Sequence, residues 1–166
     1  MKLKKKLLFV VNVDWFFISH RLIIAQEAIK NNFEVYVACQ DTGRSHEITD
    51  KGVGFIDFPF SRSGTNPISE LSTLIKFYKI YNEIKPDIVH HITLKPVIYG
   101  TLISRLLKVK GVVNAVSGLG YSFTANRKGL VQKIMIRLLK IGFKRDNLSI
   151  IFQNDDDKKA FEALDI

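Results

Sequence analysis

Leu7-Leu8-Phe9-Val10-Val11-Asn12-Val13 is followed at once by Asp14-Trp15-Phe16-Phe17-Ile18-Ser19-His20-Arg21. The first seven residues form a short apolar run. A strand covered by helices on both faces reads this way, because it has no wet side toward which to alternate. From Asp14 to Phe17 the chain turns into a helix, with Ser19 placed to cap it and Ile23, Ile24, Ala28 and Ile29 facing the core. The Asn31-Asn32 pair stops that helix, and Phe33 to Cys39 is the next apolar run.

The same alternation continues outward from this unit. Arg44 to Lys51 predicts a short helix closed by Gly52, and Val53 to Phe58 a third strand. Pro59 to Asn66 is polar loop by composition. Pro67 suits the first turn of a long helix whose face is Leu71, Leu74, Ile75, Tyr78 and Tyr81 or Ile84. Lys85-Pro86-Asp87 leads into the strand Ile88 to Ile92, and a helix spans about Pro96 to Lys108. Strand Val112 to Val116, glycine loop Ser117 to Tyr121, helix Leu130 to Ile141 and strand Ser149 to Phe152 follow. Asn154 to Asp157 would cap a last helix. Right-handed crossovers fold such a pattern into a mostly parallel open sheet with helices on both faces, a Rossmann-like three-layer α/β domain. Ligands of such sheets bind outside the carboxyl ends of the strands, where strand order reverses.

Composition bounds the rest. A chain of 166 residues fits one domain and buries roughly two thirds of the surface it exposes when unfolded. No window reaches the roughly 18 apolar residues of a membrane span. The lysines before Leu7 resemble the start of a secretory signal, but Asn12 and Asp14 interrupt the apolar region and no small-residue cleavage site follows, so a buried strand is the better reading. The single cysteine, Cys39, allows no internal disulfide and points to a reducing compartment. Twenty-five lysines and arginines against 16 acids leave a formal charge of +9, which favours anionic partners. Lys2, Lys4, Lys5 and Lys6 cluster at the start. Arg127, Lys128, Lys133, Arg137 and Lys140 surround a helix with the apolar face Leu130, Ile134, Leu138 and Ile141, which reads as a membrane-surface helix or as an ordinary solvated one.

Several residues can carry chemistry, each with a plainer reading beside it. Asp14 closes the first strand, where it could accept a substrate hydroxyl or cap a turn. Trp15 and Phe16 could line a groove for a ring-shaped or apolar acceptor, or pack under the sheet edge. His20 is either a base or sugar ligand, or a surface histidine without a duty. Gly118 and Gly120 would let backbone approach a ligand oxygen, or simply make a tight loop. No phosphate-loop or dinucleotide fingerprint is present. His90 and His91 point to opposite faces of their strand, and no metal cluster is expected. Nucleic acid has no recognition module to meet it.

Taken together, Leu8 to Arg21, Ser61-Arg62-Ser63-Gly64-Thr65-Asn66-Pro67, Lys85 to Pro96, Ser117-Gly118-Leu119-Gly120-Tyr121 and Ile151 to Asp156 closely resemble the bacterial family 4 glycosyltransferases. The resemblance is to the branch that builds capsule, O-antigen and related lipid-linked glycans. It implies one half of a GT-B fold, residues 1–166 being the N-terminal, acceptor-side domain and 155–166 the start of a helix leading to a C-terminal domain. It implies retaining transfer from a nucleotide diphosphate sugar, typically a UDP-sugar, to a lipid-linked glycan acceptor at the inner face of the plasma membrane. The nucleotide sugar is a co-substrate, and no cofactor is implied.

Asp14-Trp15-Phe16-Phe17 stands where many GT-B enzymes have glycines, and Ile92 stands at the second position of a His-x-His pattern begun by His90. On these positions the resemblance implies His91 and Asp14 as catalytic residues. It places Trp15, His20, Arg21, Ser63, Gly64, Thr93, Lys95 and Gly118 to Tyr121 around the substrates, and Lys4, Lys5, Arg127, Lys128, Lys133 and Arg137 on the anionic membrane surface. Such a half is expected to need its C-terminal domain or a separate catalytic subunit for turnover; a non-catalytic membrane-docking subunit that recruits a catalytic partner is the alternative.

Overall fold

In the computed structural model, which describes residues 3–60, 67–116 and 130–164, every apolar run is a strand. The order along the chain is β1 (Lys5–Val13), α1 (Asp14–His20), α2 (Leu22–Lys30), β2 (Phe33–Gln40), α3 (Ser45–Thr49) and β3 (Gly54–Asp57). It continues with α4 (Pro67–Ile84), β4 (Ile88–Ile92), a π-helical turn (Pro96–Gly100), α5 (Thr101–Leu106), β5 (Gly111–Val116), α6 (Leu130–Phe143), β6 (Leu148–Phe152) and α7 (Asp155–Glu162). The strands make one sheet in the order β3-β2-β1-β4-β5-β6, and every pairing is parallel. Strand order reverses between β1 and β4, so the switch point lies where Val10 pairs with His91 and both strands approach their carboxyl ends.

Successive side chains of a strand take opposite faces, and β1 is buried on both. Phe9 and Val11 pack with Phe17, Ala25, Val35, Val37, Cys39 and Ile48 on the face covered by α1 to α3. Leu8 and Val10 pack with Phe77, Tyr81, Val89, Ile103 and Val112 on the opposite face. Val97, Ile98, Val116, Leu139 and Phe161 form a third cluster where α6 and α7 close the β6 end. Burial holds the Cys39 thiol well above its ordinary pKa, so it stays a protonated apolar side chain.

Helix faces differ from the expected ones. The chain is already helical from Asp14, so Ser19 lies inside α1, where its hydroxyl bonds back to the Trp15 carbonyl at 2.9 Å instead of capping a helix start. The break comes at Arg21, which turns α2 so that Ala25 is buried while Ile23 and Ile24 are exposed. In α4 the inward stripe is Thr73, Phe77 and Tyr81 with Leu74 at its margin, and Leu71, Ile75 and Tyr78 face outward. In α6 Leu139 is buried, whereas Ile134 and Ile141 remain 48% and 45% exposed. Apolar periodicity located these helices, but a stripe wider than the contact leaves the buried line undetermined. Asn154 caps α7 as expected, its side chain accepting from the Asp157 amide at 2.7 Å.

Candidate functional site at the strand ends

The carboxyl ends of β1 and β4 are joined by a strained residue. Thr93 takes a φ of 74°, a left-handed conformation that is costly for a β-branched side chain. Its hydroxyl donates to the Asn12 Oδ1 at 2.8 Å, tying the end of β4 to β1 across the switch point. Its carbonyl accepts from the Val97 amide at 3.0 Å and starts the π-helical turn. Irregular helix of this kind is frequent at functional sites. Asn12, which interrupts the apolar run, is the partner that sequence reasoning missed.

Beside this turn α1 carries an aromatic ledge. Trp15 is 44% exposed and meets Phe16 edge to face at 6.0 Å. Phe16 stacks on the His20 imidazole, ring centres 4.3 Å apart, and the Ser19 hydroxyl lies 2.6 Å from His20 Nδ1. The ledge offers flat apolar faces with polar edges, the surface that a sugar ring or prenyl chain can lie against. Arg21 follows at the α1–α2 break.

Asp14 has a structural task. Its carboxylate accepts from the amides of Trp15 and Thr42, both at 2.6 Å, from the Thr42 hydroxyl at 2.5 Å and from the Arg44 amide at 3.1 Å. Burial alone would raise its pKa, but the Thr42, Arg44 and Trp15 hydrogen bonds outweigh it and hold the group at about 2. A fully buried carboxylate whose oxygens accept these four hydrogen bonds braces the start of α1 against the turn between β2 and α3. Asp14→Asn should cost about 2 kcal/mol in urea unfolding at pH 7, since the depressed pKa stabilises the fold above the unfolded value of 3.8 and is lost as pH falls through about 2.

His91 is likewise held within the fold. It is fully buried on the α4–α5 face, with Nε2 2.6 Å from the Tyr81 hydroxyl and Nδ1 2.7 Å from Asn114 Oδ1. Thr101 extends the chain, accepting from Asn114 Nδ2 at 2.9 Å. Burial, only partly countered by the Asn114 bond, lowers the His91 pKa to about 3, so the ring is neutral and bridges two helices and two strands.

Lys95 is held by Glu70 from the first turn of α4, Nζ to Oε1 at 2.6 Å, and the Tyr99 hydroxyl donates to the other carboxylate oxygen at 2.6 Å. The cluster anchors α4 against the π-helical turn. Glu70 and Tyr99 had no sequence signal, being ordinary helix residues brought together by the crossover. Thr93, Trp15, His20 and Arg21 thus lie on neighbouring elements around the switch point. Ser63, Gly64, Gly118, Leu119, Gly120 and Tyr121, together with Arg127 and Lys128, lie outside the described residues. Lys4, Lys5, Lys133 and Arg137 are exposed. Among the described residues no helix is long and apolar enough to cross a membrane, and no group of His, Cys, Asp or Glu could hold a metal ion.

A parallel sheet of this order, with its polar and aromatic residues gathered at the switch point, defines a Rossmann-like unit of the GT-B type. The family profile described as glycosyl transferase 4-like matches residues 6–154, and the chain belongs to this family of glycosyltransferases. An Escherichia coli UDP-Gal:alpha-D-GlcNAc-diphosphoundecaprenol alpha-1,3-galactosyltransferase is 28% identical over 127 residues, 76% of this chain and 32% of that protein. The chain therefore spans about a third of this curated relative. Among solved structures, UDP-GlcNAc 2-epimerase from Methanocaldococcus jannaschii superposes with a TM-score of 0.62 at 18% identity, over 97% of this chain and 43% of that one. MurG from Acinetobacter baumannii superposes with a TM-score of 0.56 at 14% identity, over 89% and 45%. These two likenesses show the fold alone.

Proposed function

We propose that this chain is the acceptor-side domain of a retaining glycosyltransferase that moves a sugar from a nucleotide diphosphate sugar, a UDP-sugar, to a lipid-linked glycan acceptor in capsule or O-antigen assembly. The observation that carries the reading is the ledge of exposed Trp15 and His20 with half-buried Phe16 between them, beside the strained Thr93 turn at the strand ends of a family-matched sheet. The E. coli relative's name supplies the acceptor chemistry, a sugar on a prenyl diphosphate. In this reading the ledge orients the acceptor sugar, and a second Rossmann-like domain holds the nucleotide. Rate would come from alignment of the two substrates and from stabilisation of the departing diphosphate.

Peripheral attachment to the cytoplasmic face of the membrane belongs to the same proposal. Its support is that Ile134 and Ile141 project from α6 beside exposed Lys133 and Arg137, apolar and cationic groups on one helix. The same residues would serve a non-catalytic docking subunit.

Trp15 is the sole tryptophan, so its emission reports on the ledge alone. A short-chain prenyl diphospho-N-acetylglucosamine is expected to shift or quench that emission with saturation, and UDP-sugar turnover by the isolated chain should be negligible. Unchanged Trp15 emission at millimolar acceptor would remove the acceptor-holding role. Rapid transfer by the isolated chain would remove the half-site.

A further inference from the structure

The hydrogen bonds within the ledge fix the position of one proton. Ser19 Oγ lies 2.9 Å from the Trp15 carbonyl oxygen, 3.2 Å from that of Phe16 and 2.6 Å from His20 Nδ1. His20 Nδ1 is itself 3.2 Å from the Phe16 carbonyl oxygen. Carbonyl oxygens only accept, so the protons for these four contacts come from Ser19 and His20 alone. If Ser19 gave its single proton to a bare Nδ1, its oxygen would face the Trp15 carbonyl at 2.9 Å with no hydrogen between them. The bare Nδ1 would meet the Phe16 carbonyl in the same way, lone pair against lone pair. With the proton on Nδ1 both conflicts disappear. Nδ1–H then donates to Ser19 Oγ, and the Ser19 hydroxyl donates to the Trp15 carbonyl. A neutral imidazole carries one ring proton, so Nε2 is left bare and can only accept.

The ring is also held in place. Phe16 stacks on it with the two planes 11° apart, and its Nδ1 side is turned into the backbone of α1. Nε2, on the far side of the ring, points away from the helix, and His20 is exposed. Among the described residues nothing bonds to Nε2. Ser19 is an uncommon choice for this place on helix grounds alone, because a serine hydroxyl that bonds back to the carbonyl four residues earlier slightly destabilises a helix.

We propose that Ser19 is a positioning residue for His20, holding the imidazole as its Nδ1–H tautomer so that Nε2 accepts a hydrogen bond from a hydroxyl of the ligand on the ledge. The class of group recognised follows from the tautomer. A sugar hydroxyl has a proton to donate to a bare nitrogen, whereas an ionised phosphate or carboxylate has none. On the function proposed above, on which this last step rests, the hydroxyl belongs to the acceptor sugar.

The first test needs no ligand. Imidazole nitrogen resonances separate a protonated ring nitrogen from a bare one, and at pH 8 an ordinary histidine is neutral. The chain has four histidines, and the His20 pair is assigned by its loss in His20→Gln. In the wild type His20 is expected to show a protonated Nδ1 and a bare Nε2. Ser19→Ala, at an exposed helical position that alanine suits, should move the proton toward Nε2, and Ser19→Thr, which keeps the hydroxyl, should restore the wild-type pattern. A wild-type ring protonated on Nε2, or an unchanged pattern in Ser19→Ala, would overturn the assignment. Short-chain prenyl diphospho-N-acetylglucosamine, read by Trp15 emission, should bind Ser19→Ala about threefold to tenfold more weakly than wild type or Ser19→Thr, the loss of one hydrogen bond. It should also shift Nε2, while inorganic pyrophosphate at pH 8 should leave Nε2 unmoved. Equal acceptor affinity in wild type and Ser19→Ala, or a shift of Nε2 by pyrophosphate, would overturn the hydroxyl contact. The two readings fail separately. If the acceptor alters Trp15 emission while His20 proves protonated on Nε2, the acceptor-holding role survives and the Ser19 assignment falls. If the tautomer is as expected and the acceptor leaves the emission unchanged, the acceptor-holding role falls and the hydroxyl contact with it.

Discussion

Gly100→Ala is expected to destabilise the chain by about 3 kcal/mol or more, enough to leave little folded protein if the wild type is of ordinary stability. Gly100 ends the π-helical turn directly over the buried His91–Tyr81 pair. A β-carbon there would lie 2.4 Å from His91 Nε2, 2.5 Å from its Cδ2 and 2.9 Å from the Tyr81 hydroxyl. The atoms that must yield are not flexible ends. His91 is fixed by Asn114 on its other nitrogen, and Tyr81 packs against Phe77 with its hydroxyl bonded to His91. Overpacking by one methyl costs about 1–3 kcal/mol, and parting a buried hydrogen-bonded pair adds about 1–3. The check is urea unfolding of Gly100→Ala beside Gly43→Ala. Gly43 has nothing within 4 Å of the added carbon, so its alanine pays only for a left-handed φ of 101°. Equal loss in the two variants would mean that the His91–Tyr81 packing is not tight.

That close approach also shows where the sequence stops being informative. The strands were legible because parallel strands buried on both faces must be short apolar runs. Ile88 to Ile92 has the same bounds in sequence and structure, and the others differ by a residue or two. The alternation with helices then allowed few topologies. Helix faces were less legible, since α2, α4 and α6 each carry more apolar residues than one contact can bury, and only the packing selects among them. Asp14 and His91 share one ambiguity. A polar residue at the end of a core strand carries the same sequence signal whether it faces a substrate or knits two elements together. Parity placed His90 and His91 on opposite faces, as found, but parity could not say which ring would have its nitrogens satisfied. The left-handed Thr93, the Asn12 partner and the Glu70–Lys95–Tyr99 cluster are products of tertiary contact. Nothing local in those residues announces them.

The same two histidines make stability fall steeply in mild acid. Burial, then the positive charge of Arg21, lowers the His90 pKa to about 4; burial lowers that of His91 to about 3. In the unfolded chain each titrates near 6.5. Below pH 6.5 the unfolded chain therefore binds two protons that the folded chain refuses, and stability is lost as pH falls toward the folded values. Two protons correspond to a slope of about 2 to 3 kcal/mol per pH unit near pH 5, and to about 4 kcal/mol between pH 7 and pH 5. Such a loss is a large share of the 5–15 kcal/mol typical of a domain. Asp14 adds nothing in this window, because its contribution persists until pH approaches 4. Urea unfolding in chloride buffer at pH 7, 6 and 5 should show the midpoint dropping at each step, and His90→Gln should flatten the dependence by about one proton. A midpoint unchanged from pH 7 to pH 5 would mean that both imidazoles take up protons in the fold as readily as in water. Their burial without a carboxylate partner argues against that, since an imidazolium in either place would have only neutral groups or another cation to face.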